Sequence, residues 1–335
     1  MTHNVDTLHH AISAAYPKPY SFNPNADLEN QKKAIREKYI ELLKMPEKNF
    51  KAVPTIEWEK DEDERFDEIR FTVETEPNFF VPCHMLIPKG HKKGEKLPTV
   101  ICLQGHSTGM HISMGRVIYE RDKASISGGD RDFALQIVKR GYIAVCMEQR
   151  GLGELKSEIA QDRLCYHYTM TCFMTGRTPQ GERIHDVMCL VDALEKFDAV
   201  DMDRIGLMGN SGGGTTTYHA TALEPRIKVA MPSCAFNIYE NAILSKHHCT
   251  CNYVPEISKF MEMPDLAMLI APRPLIIVSG LTDHDFPIDA AKKGFEIVKN
   301  IYAAAGAPEN CHHVIGDQGH RFYADISWPV FDKHI

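Results

Sequence analysis

No stretch of this 335-residue sequence approaches the roughly 18 consecutive apolar residues that a membrane-spanning helix needs, so no membrane partner is expected. Positive charge is in the minority: 38 Lys and Arg face 45 Asp and Glu, a formal net charge of -7. No basic patch with interleaved aromatics occurs, which argues against a nucleic-acid partner. Internal repeats and low-complexity segments are absent, so no repeat array is expected. The stretch Met1-Thr2-His3-Asn4-Val5-Asp6 has neither a basic n-region nor an apolar core, so no signal peptide is expected. A disulfide framework is not expected either. Of the ten cysteines, Cys102, Cys146 and Cys189 sit inside apolar runs and read as small buried hydrophobes of a reduced, cytoplasmic protein.

What is present suits one large α/β domain with elaborations, or two domains. The first 50 or so residues read as polar and helical. Asp27 to Leu43 has apolar positions at helical spacing, with Pro46 after its end. The acidic cluster Glu57 to Glu68 reads as a solvated linker or turn. From Ile69 the pattern alternates, and with Phe79 to Pro88 it predicts an antiparallel hairpin. Beyond Lys96, buried-strand runs and helical runs take turns. Strands are expected at 97–104, 142–147, 205–208, 227–231, 274–279 and 311–315. Helices are expected at 132–140, 182–197, 213–223, 289–305 and after the last strand. This alternation predicts an α/β fold with a mostly parallel sheet covered on both faces. Two segments break the rhythm, Gly151 to Gln180 and Phe236 to Ile270, where lids and substrate-binding insertions belong.

Gly209-Asn210-Ser211-Gly212-Gly213 lies between a strand run and a helix run. A G-x-S-x-G sequence in that setting is a nucleophile elbow, with glycines where strand and helix backbones pass closely. Alone, it reads equally well as a flexible glycine-rich loop. A serine hydroxyl needs a base, and in this arrangement the acid and the histidine follow the serine in that order. After Leu275 to Ser279 comes Gly280-Leu281-Thr282-Asp283-His284-Asp285. After His312 to Ile315 comes Gly316-Asp317-Gln318-Gly319-His320. Asp283 is the favoured acid because it comes first after its strand. Asp285 reads as a cap on the following turn. His320 is the expected base, while at least one of His312 and His313 points into packing or solvent. The oxyanion donors are expected to be the backbone N–H groups of Gly212 and His106, the latter after the strand ending in Leu103-Gln104. The bland reading of His106 is a loop residue lining the pocket.

His247-His248-Cys249-Thr250-Cys251 packs four zinc-type ligands into five residues, but no clear second pair is visible in the sequence. The expectation is therefore no metal, with this segment lining the acyl pocket. Phe260-Met261-Glu262-Met263 fits the same wall or plain core packing.

Together Leu103 to His106, Gln149 to Glu154, Gly209 to Gly213, Leu269 to Pro274, Gly280 to Asp283 with Pro287, and Gly319-His320 resemble the α/β-hydrolase superfamily. The resemblance is to its acetyl-xylan-esterase-like and dienelactone-hydrolase-like bacterial branch, from about Ile69 to the end. With the pattern along the chain, the expectation is an α/β-hydrolase domain over 61–335 with insertions at about 151–180 and 236–270, preceded by an N-terminal helical arm over 1–60. The resemblance implies a Ser211, Asp283, His320 triad, an acyl-enzyme intermediate and no cofactor. It gives Arg150 a structural part, holding the loop after its strand. Oligomers are common in this branch, which makes the arm a candidate homo-oligomer contact. Dienelactone hydrolases proper use cysteine where Ser211 stands, so the expectation is a cytoplasmic serine esterase for small-molecule esters with short acyl groups, such as acetylated sugars. Two rivals remain: a prolyl-oligopeptidase-type peptidase, and a non-catalytic binding protein of the same fold.

Overall fold

A parallel strand buried on both faces must present apolar side chains in both directions, and the central strands here do. The computed structural model of the protein describes residues 3–92, 94–159 and 165–335. Its strands are β1 (Pro54–Lys60), β2 (Phe66–Glu76), β3 (Phe79–Pro88), β4 (Leu97–Leu103), β5 (Ile143–Met147), β6 (Val200–Asn210), β7 (Val229–Ser233), β8 (Leu275–Gly280) and β9 (Cys311–Gly316). Its α-helices are α1 (Val5–Ala15), α2 (Leu28–Leu43), α3 (Phe133–Val138), α4 (Tyr166–Met174), α5 (Pro179–Leu194), α6 (Gly212–Leu223), α7 (Ile257–Phe260), α8 (Ala267–Ile270), α9 (Ile288–Ala304) and α10 (Ala324–Phe331). The strands form one sheet of order β1-β2-β3-β5-β4-β6-β7-β8-β9. β1, β2, β3 and β5 pair antiparallel, and every pair from β5 across to β9 is parallel. This is an α/β-hydrolase architecture, as the resemblance implies.

Side-chain alternation sorts the core into two layers, one on each face of the sheet. In β4, Ile101 and Leu103 join one buried cluster, while Val100 and Cys102 join the other. In β8, Leu275 and Ile277 go to the first, and Ile276 and Val278 to the second. Burial on both faces is why these strands read as unbroken apolar runs.

The sheet begins earlier than the sequence suggests. Pro54 to Lys60 was expected to be arm and linker, and is instead an edge strand paired to β2. Its glutamates face solvent or pair outward, as Glu57 does with Arg70 Nε at 2.9 Å. Charges on an edge strand block pairing with other chains. They also erase the apolar alternation by which a strand is read. Glu68, in the same acidic cluster, is buried against His84 Nδ1 at 2.6 Å and Arg116 Nη2. Burial would raise its pKa, but these two partners outweigh burial and bring it down to about 2.

α2 starts at the Asp27 cap, which accepts the Asn30 N–H at 2.8 Å, and ends at Lys44 in the left-handed region. Its face Ile35, Tyr39, Leu42 and Leu43 is buried at helical spacing. The Tyr39 hydroxyl meets His219 Nδ1 of α6, and Arg36 donates to Leu223 O at the end of that helix. The arm is thus laid along the helix that follows Ser211. Residues 160–164 of the first expected insertion lie outside the described residues. Among those described, no helix is long and apolar enough to cross a membrane.

Candidate active site

The carboxyl ends of β4, β6, β7, β8 and β9 form one rim, where ligands bind in open parallel sheets. Ser211 follows β6 directly. Its φ of 58° and ψ of -125° put a non-glycine residue in a backbone region that costs on the order of 1–3 kcal/mol. The surrounding contacts enforce it. Ser211 N–H donates to Ser233 O of β7 at 2.8 Å, and Ser211 O accepts from Thr215 N at 2.8 Å. Its own N–H is therefore committed, and the next donor along the chain is the N–H of Gly212 at the first position of α6, where the helix itself offers no acceptor.

The flanking glycines are required by close approach. A Cβ on Gly213 would sit 2.1 Å from Leu103 O, and one on Gly105 would sit 2.6 Å from Asn210 O and 2.7 Å from Ser211 Cβ. Those neighbours are backbone and the nucleophile candidate itself, so they cannot step aside. Gly213→Ala should destabilise the fold by about 3 kcal/mol despite a helix-propensity gain of about 1 kcal/mol, read from the urea midpoint. An unchanged midpoint would mean that the elbow is looser than its contacts imply.

The loop after β4 is pinned by amides. Gln104 Nε2 donates to Ser113 Oγ at 2.9 Å and Arg131 O at 2.7 Å. Gln149 Nε2 donates to Gln104 O, and Gln149 Oε1 accepts from Thr216 Oγ1 of α6 at 2.7 Å. The His106 ring lies against Gly212, where a Cβ would be 2.9 Å from its Cε1. Beside His106 is a cavity of about 180 Å3, lined with Ser107, Thr108, Ile112, Arg121, Asp122 and Ser125.

His320 and Asp283 are brought together. His320 Nδ1 donates to Asp283 Oδ2 at 2.9 Å, and Asp283 Oδ1 accepts from the N–H groups of Asp285 at 2.9 Å and Phe286 at 3.1 Å. Asp283 is only 4% exposed. Burial alone would raise its pKa, yet the hydrogen bond and charge of His320 and the two N–H donors hold it below the ordinary carboxylate range. Asp285 stands farther off, 3.8 Å from His320 Nδ1, with its side chain 55% exposed. Phe286 stacks on His320 with centroids 6.1 Å apart, and His248 meets the same ring edge-on at 5.1 Å. His312 and His313 are elsewhere: His312 Nε2 meets His334 Nε2 at 2.8 Å, and His313 Nε2 meets Ser279 Oγ at 3.0 Å.

Arg150 holds its loop firmly. It makes a two-pronged pair with Asp186 at 2.8 and 2.7 Å and reaches Glu76 at 2.6 Å. Two residues escaped the sequence reading. Cys234, just past β7 with φ 46°, has its sulfur within 4.8 Å of ligand atoms of Asp283 and His320. Burial pushes its thiol pKa up, so it stands beside the dyad as a neutral group. Cys165, just before α4, lies with Cys249, Cys251 and His106. His106 Nε2 is 3.1 Å from Cys251 Sγ, so its side chain is aimed at sulfur rather than into open space. Neither cysteine had a spacing signal, because each meets its neighbours only through the fold.

A model of the Abhydrolase family matches residues 5–231, and one of the Prolyl oligopeptidase family matches residues 173–327. YtaP of Bacillus subtilis (strain 168), a hydrolase by name, is 28% identical over 209 residues, which cover 59% of this chain and 67% of YtaP. A Bacteroides fragilis NCTC 9343 protein, an acetyl xylan esterase by name, superposes with a TM-score of 0.76 at 18% identity, over 94% of this chain and 83% of that one. The glucuronoyl esterase from Solibacter usitatus superposes with a TM-score of 0.71 at 14% identity, over 96% and 98% of the two chains. At these identities the two structures establish a shared fold.

Proposed function

Because the chain belongs to the Abhydrolase family, we propose that it is a serine esterase acting through an acyl-enzyme, with Ser211 as nucleophile, His320 as base and Asp283 as its orienting acid. The observation that carries this reading is the pairing of a strained serine at a strand-to-helix turn with a half-buried hydrogen bond from His320 to the buried Asp283 on the same rim. His320 Nε2 takes the Ser211 proton as Oγ attacks the ester carbonyl carbon. The oxyanion is held by the N–H groups of Gly212 and His106. The intermediate collapses, the alcohol leaves with the proton from His320, and water repeats the sequence to release the acid. Ionised Asp283 keeps the Nδ1 proton in place and stabilises the imidazolium.

The surroundings support one substrate class. The small cavity beside His106 is lined mostly by hydroxyls and charge, which suits a short acyl group on a polar alcohol, such as an acetylated sugar. A panel of p-nitrophenyl esters should give the highest kcat/KM for acetate. Faster turnover of the C8 ester would discard the short-chain reading. The Prolyl oligopeptidase match supports a second reading, a peptidase built on the same elbow. Hydrolysis of aminoacyl-naphthylamides faster than acetate esters would select it.

A further inference from the structure

Cys249 and Cys251 lie two residues apart, and the fold supplies the second pair of ligands that the sequence hides. Cys165 comes from the start of α4, and His106 comes from the loop after β4, 145 residues from Cys251. Cys251 Sγ is 3.1 Å from His106 Nε2 and 3.5 Å from Cys249 Sγ. All four ligand atoms lie within 4.8 Å of one another. Bonds of about 2.3 Å to sulfur and about 2.0 Å to nitrogen at tetrahedral angles place such atoms about 3.5–3.8 Å apart. The cluster therefore surrounds a space of the right size for one ion, with adjustments of under about 1 Å. The neighbouring His247 and His248 are not part of it; His248 Nε2 instead contacts Asp285 O at 3.1 Å.

The charge balance points the same way. Arg183 of α5 is 0% exposed. It donates to Cys251 Sγ at 3.2 Å and to Cys165 Sγ at 3.3 Å, its other hydrogen bonds go to Arg150 O, and its guanidinium lies 5.9 Å from the centroid of the neutral Tyr168 ring. Among the described residues, no carboxylate forms an ion pair with it. A buried guanidinium needs a negative partner. Among the described residues, three neutral thiols would leave its charge uncompensated. Three thiolates around a divalent ion carry one net negative charge, which Arg183 cancels.

We propose that His106, Cys165, Cys249 and Cys251 form a zinc site. Three thiolates and an imidazole are a soft, four-fold set that selects zinc over magnesium or calcium. Four protein ligands close the coordination sphere and leave no position for a reacting water, so the ion positions rather than reacts. What it positions is specific. It ties the second insertion and the start of α4 to the His106 ring, and that ring rests on Gly212, the residue after Ser211. Gln180 Nε2 to Cys251 O at 3.1 Å and Thr250 Oγ1 to Thr169 Oγ1 at 3.0 Å brace the same corner. The ion thus fixes the loop beside the elbow without touching the reacting atoms.

The test reads metal, independently of hydrolysis. The full chain, produced in zinc-supplemented medium and desalted, should carry one zinc per chain by elemental mass spectrometry. Cys251→Ser and Cys165→Ser should carry at least about tenfold less, while Cys189→Ser, which alters a buried thiol outside the cluster, should keep it. Should the cluster variants fail to fold, the wild type loaded with Co2+ decides. It should show thiolate-to-cobalt charge transfer and the visible bands of four-coordinate cobalt, both displaced by added Zn2+. A wild type with neither zinc nor cobalt–thiolate absorption overturns the proposal. So does a disulfide joining any two of the three cysteines in freshly purified protein.

Discussion

Ser211→Ala should lower kcat/KM for p-nitrophenyl acetate by about 10,000-fold, to near the level of buffer hydrolysis. The size follows from the chemistry removed: without Oγ no acyl-enzyme forms, and only oxyanion donors and binding remain. Stability should change by less than about 0.5 kcal/mol. Alanine keeps the Cβ, so the backbone strain at φ 58° is the same in both proteins. The two backbone hydrogen bonds that hold the residue, to Ser233 and from Thr215, do not involve the hydroxyl. A variant that loses activity with an unchanged melting curve therefore reports on chemistry alone. Equal rates in the two proteins would remove Ser211 from the reaction and discard the esterase mechanism with it. A fluorophosphonate that labels the wild type at Ser211 would support its role as nucleophile without a substrate.

The part of this architecture that reads directly from sequence is the part buried on both faces. Val100 to Leu103 and Leu275 to Val278 are unbroken apolar runs because helices cover both sides of those strands. The loops that follow such strands are placed by the strand ends, which is why Ser211 and Asp283 stand out; His320 follows the half-buried edge strand β9 and is marked instead by its glycine-bounded loop. Exposed elements lack that signal. β1 carries Glu57, Glu59 and Lys60 on a sheet edge, and reads as a linker for that reason. β6 begins at Val200, but exposed Asp203 and Arg204 interrupt its first half, so only the apolar run from Ile205 reads as a strand. The cysteine cluster is illegible for a different reason. Spacing rules detect ligands that are close in sequence, and here only Cys249 and Cys251 are. Cys165 and His106 reach them through packing of an insertion against the rim, and no local pattern encodes that contact.

Asp283→Asn should cost about 1,000- to 10,000-fold in kcat, while Asp285→Asn should cost less than about tenfold. The two aspartates lie two residues apart and both approach His320 Nδ1, so the contrast rests on geometry. Asp283 is buried and 2.9 Å away, where an ion pair is weakly screened; Asp285 is 3.8 Å away and open to solvent. The amide adds a second effect. Asp283 Oδ1 accepts two backbone N–H groups, from Asp285 and Phe286. In Asp283→Asn the side-chain oxygen must stay on those donors, which turns the NH2 group toward His320. His320 then has to accept at Nδ1 and carry its proton on Nε2, the nitrogen that should receive the Ser211 proton. The imidazole is held in place but in the wrong tautomer. KM should therefore change little while kcat collapses, and nitrogen chemical shifts of His320 should report Nε2–H in the variant and Nδ1–H in the wild type. Equal losses for the two variants would mean that the carboxylates share the role, and a larger loss for Asp285→Asn would reassign the acid outright.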